Sequence, residues 1–379
     1  MINLPVSKNL IFQSLAVGIR SILIFLFVYF ATQKIDNTSL SILLSQFTYA
    51  SIFSHFICFG FDYSFIQEGE KKTDLKSFYF KIVLGSVFTL LIIKLQGLDY
   101  KIFLYSIAIA SSSIFKGLVR LNQTHMLDFI VNFSTLCIFL FSVKVLNIND
   151  FLDYLALSIF IPNLLALFNQ LKFSLEETFH KAYRSVLKSL PLSIYAITSY
   201  LWLNVDVYVF DYLDKIDNYS NFTVPNRFFI NLTMIPVILM NYRIAKIFIN
   251  NYDLNKVFKE FNLIGILLFL VAFFISGPLI TFITNDTVSL SNFHKLLFSS
   301  IVYMRTINTF FSMLILKNFN NWIRFFTIFI TLILHIIILY FSIVKYDWIG
   351  ALYALVATTL VFVTINFVLT KKYLYVKQN

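Results

Sequence analysis

Apolar residues in this chain fall into blocks of about 20 positions, each closed by a short polar stretch. That run length carries a helix across roughly 30 Å of hydrocarbon at 1.5 Å per residue. Twelve blocks are read. The first half has Leu10–Ala31, Leu40–Gly60, Phe78–Ile93, Ile102–Val119, Leu127–Leu146 and Phe151–Phe168. The second half has Leu190–Phe210, Pro225–Tyr242, Phe261–Ile283, Phe293–Leu316, Trp322–Val344 and Trp348–Thr370. The third is the weakest, because Lys81 and Lys94 bracket a short apolar run. The first follows directly on a short N-terminal stretch and carries no small-residue cleavage motif, so it is expected to be a retained helix.

The longest stretch between blocks, Asn169–Ser189, divides them six and six. Within it Leu175, Phe179, Ala182, Val186 and Leu187 recur at helical spacing between charged residues. Part of this connector is expected to lie as an amphipathic helix on the membrane surface. The pattern therefore predicts an all-α polytopic membrane protein: a six-helix bundle over 1–170, a connector over 171–189 and a second six-helix bundle over 190–379. Two halves of equal helix count are what a transporter built from related repeats would show.

Composition agrees. Hydrophobic side chains make up 59% of the 379 residues and charged ones only 13%, half of what an ordinary soluble domain carries, so no water-soluble fold could hide the apolar surface. The net charge of +11 would suggest nucleic acid in a soluble protein. Here its distribution points elsewhere. With the N-terminus inside, 19 Lys and Arg fall in cytoplasmic stretches, against 6 on the other side. This bias predicts cytoplasmic termini and a cytoplasmic connector. Cys58 and Cys137 both lie in apolar blocks and read as small buried residues. No catalytic motif, phosphate loop or metal-ligand spacing is present, so neither a catalytic residue, a metal nor a cofactor is expected.

Ionisable groups inside the blocks are costly and mark cavities or buried pairs. Arg20 stands at the middle of the first block with Gln13 and Ser21 near it. It reads as a cavity-lining cation or as a member of a structural ion pair. In the seventh block Tyr195, Ser199, Trp202 and Asp206 are spaced four, three and four, which places them on one stripe; Trp202 and Asp206 are candidate substrate contacts, and the competing reading puts Asp206 simply near the membrane interface. Arg227 opens the eighth block and Arg305 lies inside the tenth. With Arg20 they are candidates for an anion-binding lining, since arginine holds phosphate oxygens bidentately. Arg227 could instead snorkel to head groups. His55 and His335, with Asp206, are the candidates for ion or proton coupling. Packing roles compete for both histidines.

At this level the chain resembles the polysaccharide, or lipid-linked oligosaccharide, flippases of bacterial inner membranes, within the multidrug/oligosaccharidyl-lipid/polysaccharide exporter superfamily. The stretch from "SKNLIFQSLAVGIRSILIFLFVYFATQ" to "CFGFDYSFIQE" is similar to that family's first two helices, with Gly60 and Phe61 at its Gly-hydrophobic step. "LKSLPLSIYAITSYLWLNVDVYVFDYL" resembles the opening of its second half at Pro191 and Asp206, and "VPNRFF" matches at Arg227. "SGPLITFI" and "WIGALYALVATTLVFV" resemble its ninth and last helices at Gly277, Pro278, Gly350 and Ala351. The chain departs from the pattern in "DKIDNYSNFTVPN" and "TNDTVSLSNF", which lack the usual glycine and aromatic residues of those loops.

The resemblance implies a multi-pass inner-membrane protein that is no enzyme. Its expected cargo is an undecaprenyl-diphosphate-linked oligosaccharide repeat unit, moved outward for O-antigen or capsule assembly. Expected partners are that lipid-linked oligosaccharide, membrane lipid, a polysaccharide polymerase and a chain-length regulator, with no nucleic acid. Two rivals stay open. One is a drug or small-molecule antiporter of the same superfamily. The other is a membrane-embedded polymerase or acyltransferase, which would usually need a longer external loop than the short acidic one at about Asp211–Val224.

Overall fold

A computed structural model describes residues 8–58, 73–122, 124–145, 151–170, 173–174, 179–240, 254–286, 288–319 and 321–375. The protein is an all-α polytopic membrane protein. Its helices, in chain order, are α1 (Lys8–Thr32), α2 (Asn37–Cys58), α3 (Leu75–Leu95), α4 (Lys101–Asn122), α5 (His125–Val145), α6 (Phe151–Gln170) and α7 (Phe179–Asn204). They continue as α8 (Asp206–Tyr212), α9 (Tyr219–Leu232), α10 (Leu254–Ile283), α11 (Asn292–Asn318), α12 (Asn321–Tyr346) and α13 (Trp348–Tyr375). Among the described residues ten spans are long and apolar enough to cross a membrane. Two strands of two residues, β1 (Thr73–Asp74) and β2 (Phe173–Ser174), pair in parallel with Thr73 opposite Phe173.

The chain has only nine glycines, and short polar side chains take over much of the work of ending helices. Asp214 closes α8 at φ 54°, Asn285 and Asp286 follow α10 at φ 49° and 64°, and Asp347 turns α12 into α13 at φ 55°. Asn and Asp enter this left-handed region more readily than other residues with a side chain. Gly97 does the same after α3 at φ 65°. At the other ends Ser291 caps α11 by accepting from the His294 amide. Asp36 precedes α2, where the Ser39 hydroxyl and nearby amides hold its exposed carboxyl below the ordinary value of 3.8.

Two compact units are formed. The first comprises Met1–Phe27 and Ser45–Asn204, the second Val28–Leu44 and Val205–Asn379. In the first, Phe115, Ile57, Ile114, Leu118 and Val119 form a buried core. In the second, Phe261, Phe310, Phe311 and Leu314 do so, and Phe229 stacks face to face on Phe298 at 4.6 Å. The outer faces carry large exposed apolar side chains, Phe141, Leu165 and Phe274 among them. Such faces suit lipid, since every helix satisfies its own backbone.

The structure departs from the sequence pattern at the seventh and eighth blocks. Helical structure begins at Phe179, so residues 179–189 of the expected connector helix are continuous with α7. The stretch expected to be an external loop over 211–224 is largely helical: α8 runs to Tyr212, a 3₁₀ turn spans Ile216–Asn218 and α9 starts at Tyr219. Burial explains the second difference. Tyr219 and Phe222 both pack on the ring of Phe210, which draws a polar-looking segment into helix and leaves Pro225 inside α9. Gly60, Phe61, Lys72, residues 175–178, Arg243, Lys246 and Lys377 lie outside the described residues.

Candidate functional site

In the first unit Arg20 sits on α1 and its Nη2 donates to the Asp128 carboxylate on α5 at 2.5 Å. Asp128 is almost fully buried, while the arginine side chain keeps 26% of its exposure. Asn132, one turn further along α5, donates to the other Asp128 oxygen at 2.7 Å. A guanidinium and a carboxamide thus meet both oxygens of one carboxylate, an arrangement that lets a buried charge persist in an apolar bundle. The sequence pattern left open whether Arg20 lines a cavity or joins an ion pair. The geometry supplies the pair, and Asp128 was not singled out by the sequence reading. Its signal was available, because a carboxylate at the second position of an apolar block is itself uncommon.

His55 of α2 belongs to the same unit. Its ring stacks on Tyr200 of α7 with centroids 3.4 Å apart, and its Nδ1 lies 3.2 Å from the Ser51 carbonyl and 3.1 Å from the Ser54 hydroxyl. Lys81 of α3, which the sequence pattern treated as the edge of a block, is one of the largest fully buried side chains, at 1% exposure. Trp202 is buried near the end of α7. Ser199 donates to the Tyr195 carbonyl within that helix. The stripe read from Tyr195 to Asp206 crosses the interruption at Val205, where α7 stops and α8 begins.

In the second unit Asp206 opens α8 and is buried at 3% exposure. It accepts a hydrogen bond from Tyr219 of α9 and lies within electrostatic reach of Arg227 on α9 and Arg305 on α11. Arg305 in turn lies within reach of His335 on α12. His335, at 2% exposure, faces the Thr358 hydroxyl of α13 across 3.0 Å. One turn along α11 from Arg305, Asn308 accepts from Asn366 of α13 at 2.7 Å. Four helices therefore bring Asp206, Arg227, Arg305 and His335 into one polar cluster, its aspartate and histidine buried and its two arginines half-buried, with Tyr219, Thr358 and an amide pair around it. Four of the residues singled out by sequence meet here, from positions up to 129 apart in the chain.

Chemically, a carboxylate and an imidazole that each lie within electrostatic reach of one guanidinium can bind or release a cation or proton. Two guanidinium groups against one carboxylate also leave positive charge for an anion. Among the described residues no group of three His, Cys, Asp or Glu is placed to hold a metal ion.

The fold has solved counterparts. A mutant form of the Vibrio cholerae MATE transporter VcmN superposes with a TM-score of 0.59 at 13% identity, over 98% of this chain and 97% of that one. The same transporter in its bent form gives 0.57 at 13% identity, over 97% and 96%. A multidrug resistance MATE family transporter of the MOP superfamily, in its inward-facing conformation, gives 0.57 at 9% identity, over 96% and 94%. The chain thus shares the fold of these transporters along nearly its whole length. No family model and no curated protein sequence matches it.

Proposed function

We propose that this chain is a secondary transporter of the bacterial inner membrane that exports an amphipathic solute and couples export to a cation or proton through Asp206. The observation that carries this reading is the cluster of Asp206, Arg227, Arg305 and His335 inside apolar helices, with the carboxylate and the imidazole buried and the two guanidinium groups half-buried. Ionised groups at membrane depth are expensive, and a cluster of four is retained where binding and release of charge is the work of the protein. The interruption at Val205 supports it, since discontinuous helices are where transporters place their sites. The MATE-type fold supports it as well, because its solved examples include a multidrug resistance transporter.

The test is gradient-driven dye export in proteoliposomes, with sodium and proton gradients imposed separately. Asp206→Asn lowers the driven rate at least about tenfold at equal protein content, the loss of one charge-assisted interaction, and Asp206→Glu keeps part of it. Full driven export by the Asn variant rejects Asp206 as the coupling group.

A second reading keeps the fold and changes the cargo to an undecaprenyl-diphosphate-linked oligosaccharide. The specific observation in its favour is the charge of the cluster, two guanidinium groups to one carboxylate, which suits a diphosphate. Outer-leaflet polysaccharide in a strain lacking the native gene distinguishes the two. Restoration there without dye export selects the lipid-linked cargo.

A further inference from the structure

Away from the charged cluster, the second unit holds a cavity of about 670 Å³ where α10 ends and α11 begins. Its lining includes Tyr29 and Gln33 from the last turn of α1 and its exit, Gly277 and Phe282 from α10, Asp286 from the following turn and Lys295 from α11. Lys295 is half-buried and Asp286 stands exposed at the rim. The two bear opposite charges in one cavity, yet among the described residues no ion pair joins them. The Lys295 ammonium instead lies 5.8 Å from the centre of the Phe273 ring. Gly277 keeps the space over the lysine stem open: a Cβ there would already be 3.4 Å from Lys295 Nζ.

The walls of the cavity continue into lipid-facing surface. Phe274, Pro278 and Phe282 follow one another at intervals of four along α10, and Phe274 and Phe282 are each more than two-thirds exposed. Leu267, Leu270 and Val271 extend the exposed apolar face along the helix. Phe282 also stacks on Tyr29 at 5.6 Å, a tyrosine and a phenylalanine at a helix end, where aromatic side chains mark the lipid–water boundary. A polar pocket holding a separated cation and anion thus opens onto an apolar stripe, which is the shape of an amphiphile with a zwitterionic head.

We propose that this pocket binds phosphatidylethanolamine from the bilayer, with Lys295 on the phosphate, Asp286 on the ammonium and the acyl chains along the Phe274 to Phe282 stripe. The head group supplies an ionic partner that neither side chain has among the described residues. Its phosphodiester gives the half-desolvated ammonium an acceptor, and its N–H donors reach a carboxylate that Lys295 does not satisfy. Asn285 and Gln33 at the same rim add carbonyl acceptors for those donors. The inference does not depend on what the protein transports.

Native mass spectrometry of the purified full-length protein tests it with three probes: palmitoyl-oleoyl phosphatidylethanolamine, the matching phosphatidylcholine, and free phosphoethanolamine. The choline lipid keeps the phosphate and charge but has no N–H to donate. Wild-type protein is expected to bind the ethanolamine lipid in preference to the choline lipid. Lys295→Ala weakens that binding by about tenfold, as loss of one charge-assisted hydrogen bond implies. Gly277→Leu fills the cavity and does the same. Asp286→Asn, an exposed substitution that leaves the helices intact, erases the preference between the two lipids and keeps the test decisive if Lys295→Ala fails to accumulate. Equal binding of both lipids, or binding unmoved by all three substitutions, overturns the site. Free phosphoethanolamine bound as tightly as the lipid overturns the bilayer as its source.

Discussion

Arg20 shows how much a single side chain's role depends on one partner. Its guanidinium meets Asp128, which Asn132 also contacts, so removing the arginine leaves a buried carboxylate with one neutral donor. Breaking a buried pair costs roughly 3–5 kcal/mol, and the partial exposure of Arg20 places it toward the lower end. Thermal unfolding in detergent is expected to show Arg20→Ala well below wild type, and Arg20→Ala with Asp128→Ala less damaged than Arg20→Ala alone. A double variant as unstable as the sum of the single ones would remove the pair as the reason. At Asp36 the consequence lies in pH. Its carboxyl is held below the ordinary value first by the Ser39 hydroxyl and then by backbone amides, so the folded chain favours the ionised form. That contribution is complete above the ordinary value of 3.8 and is lost as pH falls through the lower, folded value. Amide exchange at residues 38–40, corrected for intrinsic rates, is expected to be faster in Asp36→Ala than in wild type near neutral pH. The two should converge in strong acid.

Helices in this protein approach one another where glycine allows it. A Cβ on Gly85 of α3 would collide with the Phe56 carbonyl oxygen of α2, and one on Gly350 of α13 would collide with the Ser342 carbonyl oxygen of α12. Both obstacles are backbone, which cannot rotate away. Gly85→Ala and Gly350→Ala are therefore expected to cost at least the roughly 1–3 kcal/mol usual for overpacking. Gly18→Ala in α1 has nothing within 4 Å and gains helix propensity. Melting temperatures of the three variants check the contrast: Gly18→Ala unchanged or higher, the other two lower. A Gly350→Ala protein as stable as wild type would mean that α12 and α13 can separate at their shared turn.

Across the whole molecule, chain halves and compact units do not coincide. Residues 28–44, the end of α1 and the start of α2, belong to the second unit. There Thr32 donates to the Ile283 carbonyl at 2.9 Å, Ser41 to the Asp217 carbonyl at 2.8 Å, and Ser220 to Asn37 at 2.6 Å. Orientation in the membrane rests on charge. The 19 to 6 division of basic residues predicts that Lys8, the 169–189 connector and Lys377 are cytoplasmic. Cysteines introduced at these three places are expected to resist a membrane-impermeant reagent in intact cells and to react after permeabilisation. Labelling of the connector in intact cells would reverse the assignment.

Sequence alone determined what the bilayer dictates. Blocks of about 20 apolar residues must become helices, because a lipid environment leaves backbone groups no other partners. The first block, read as Leu10–Ala31, is α1 at Lys8–Thr32, and the fifth, read as Leu127–Leu146, is α5 at His125–Val145. The pattern also marked Asp206, Arg227, Arg305 and His335, since ionisable residues stand out against an apolar background. Which of them meet was decided only by tertiary structure. Arg20 finds Asp128 across 108 residues, while Asp206 gathers Tyr219, Arg227 and Arg305 around the start of a short helix. Residues 211–224, polar enough to read as a loop, became helix because Tyr219 and Phe222 bury against Phe210. Periodicity reports how each segment meets its solvent. Pairing between segments depends on how helices pack, and a local pattern carries no term for that.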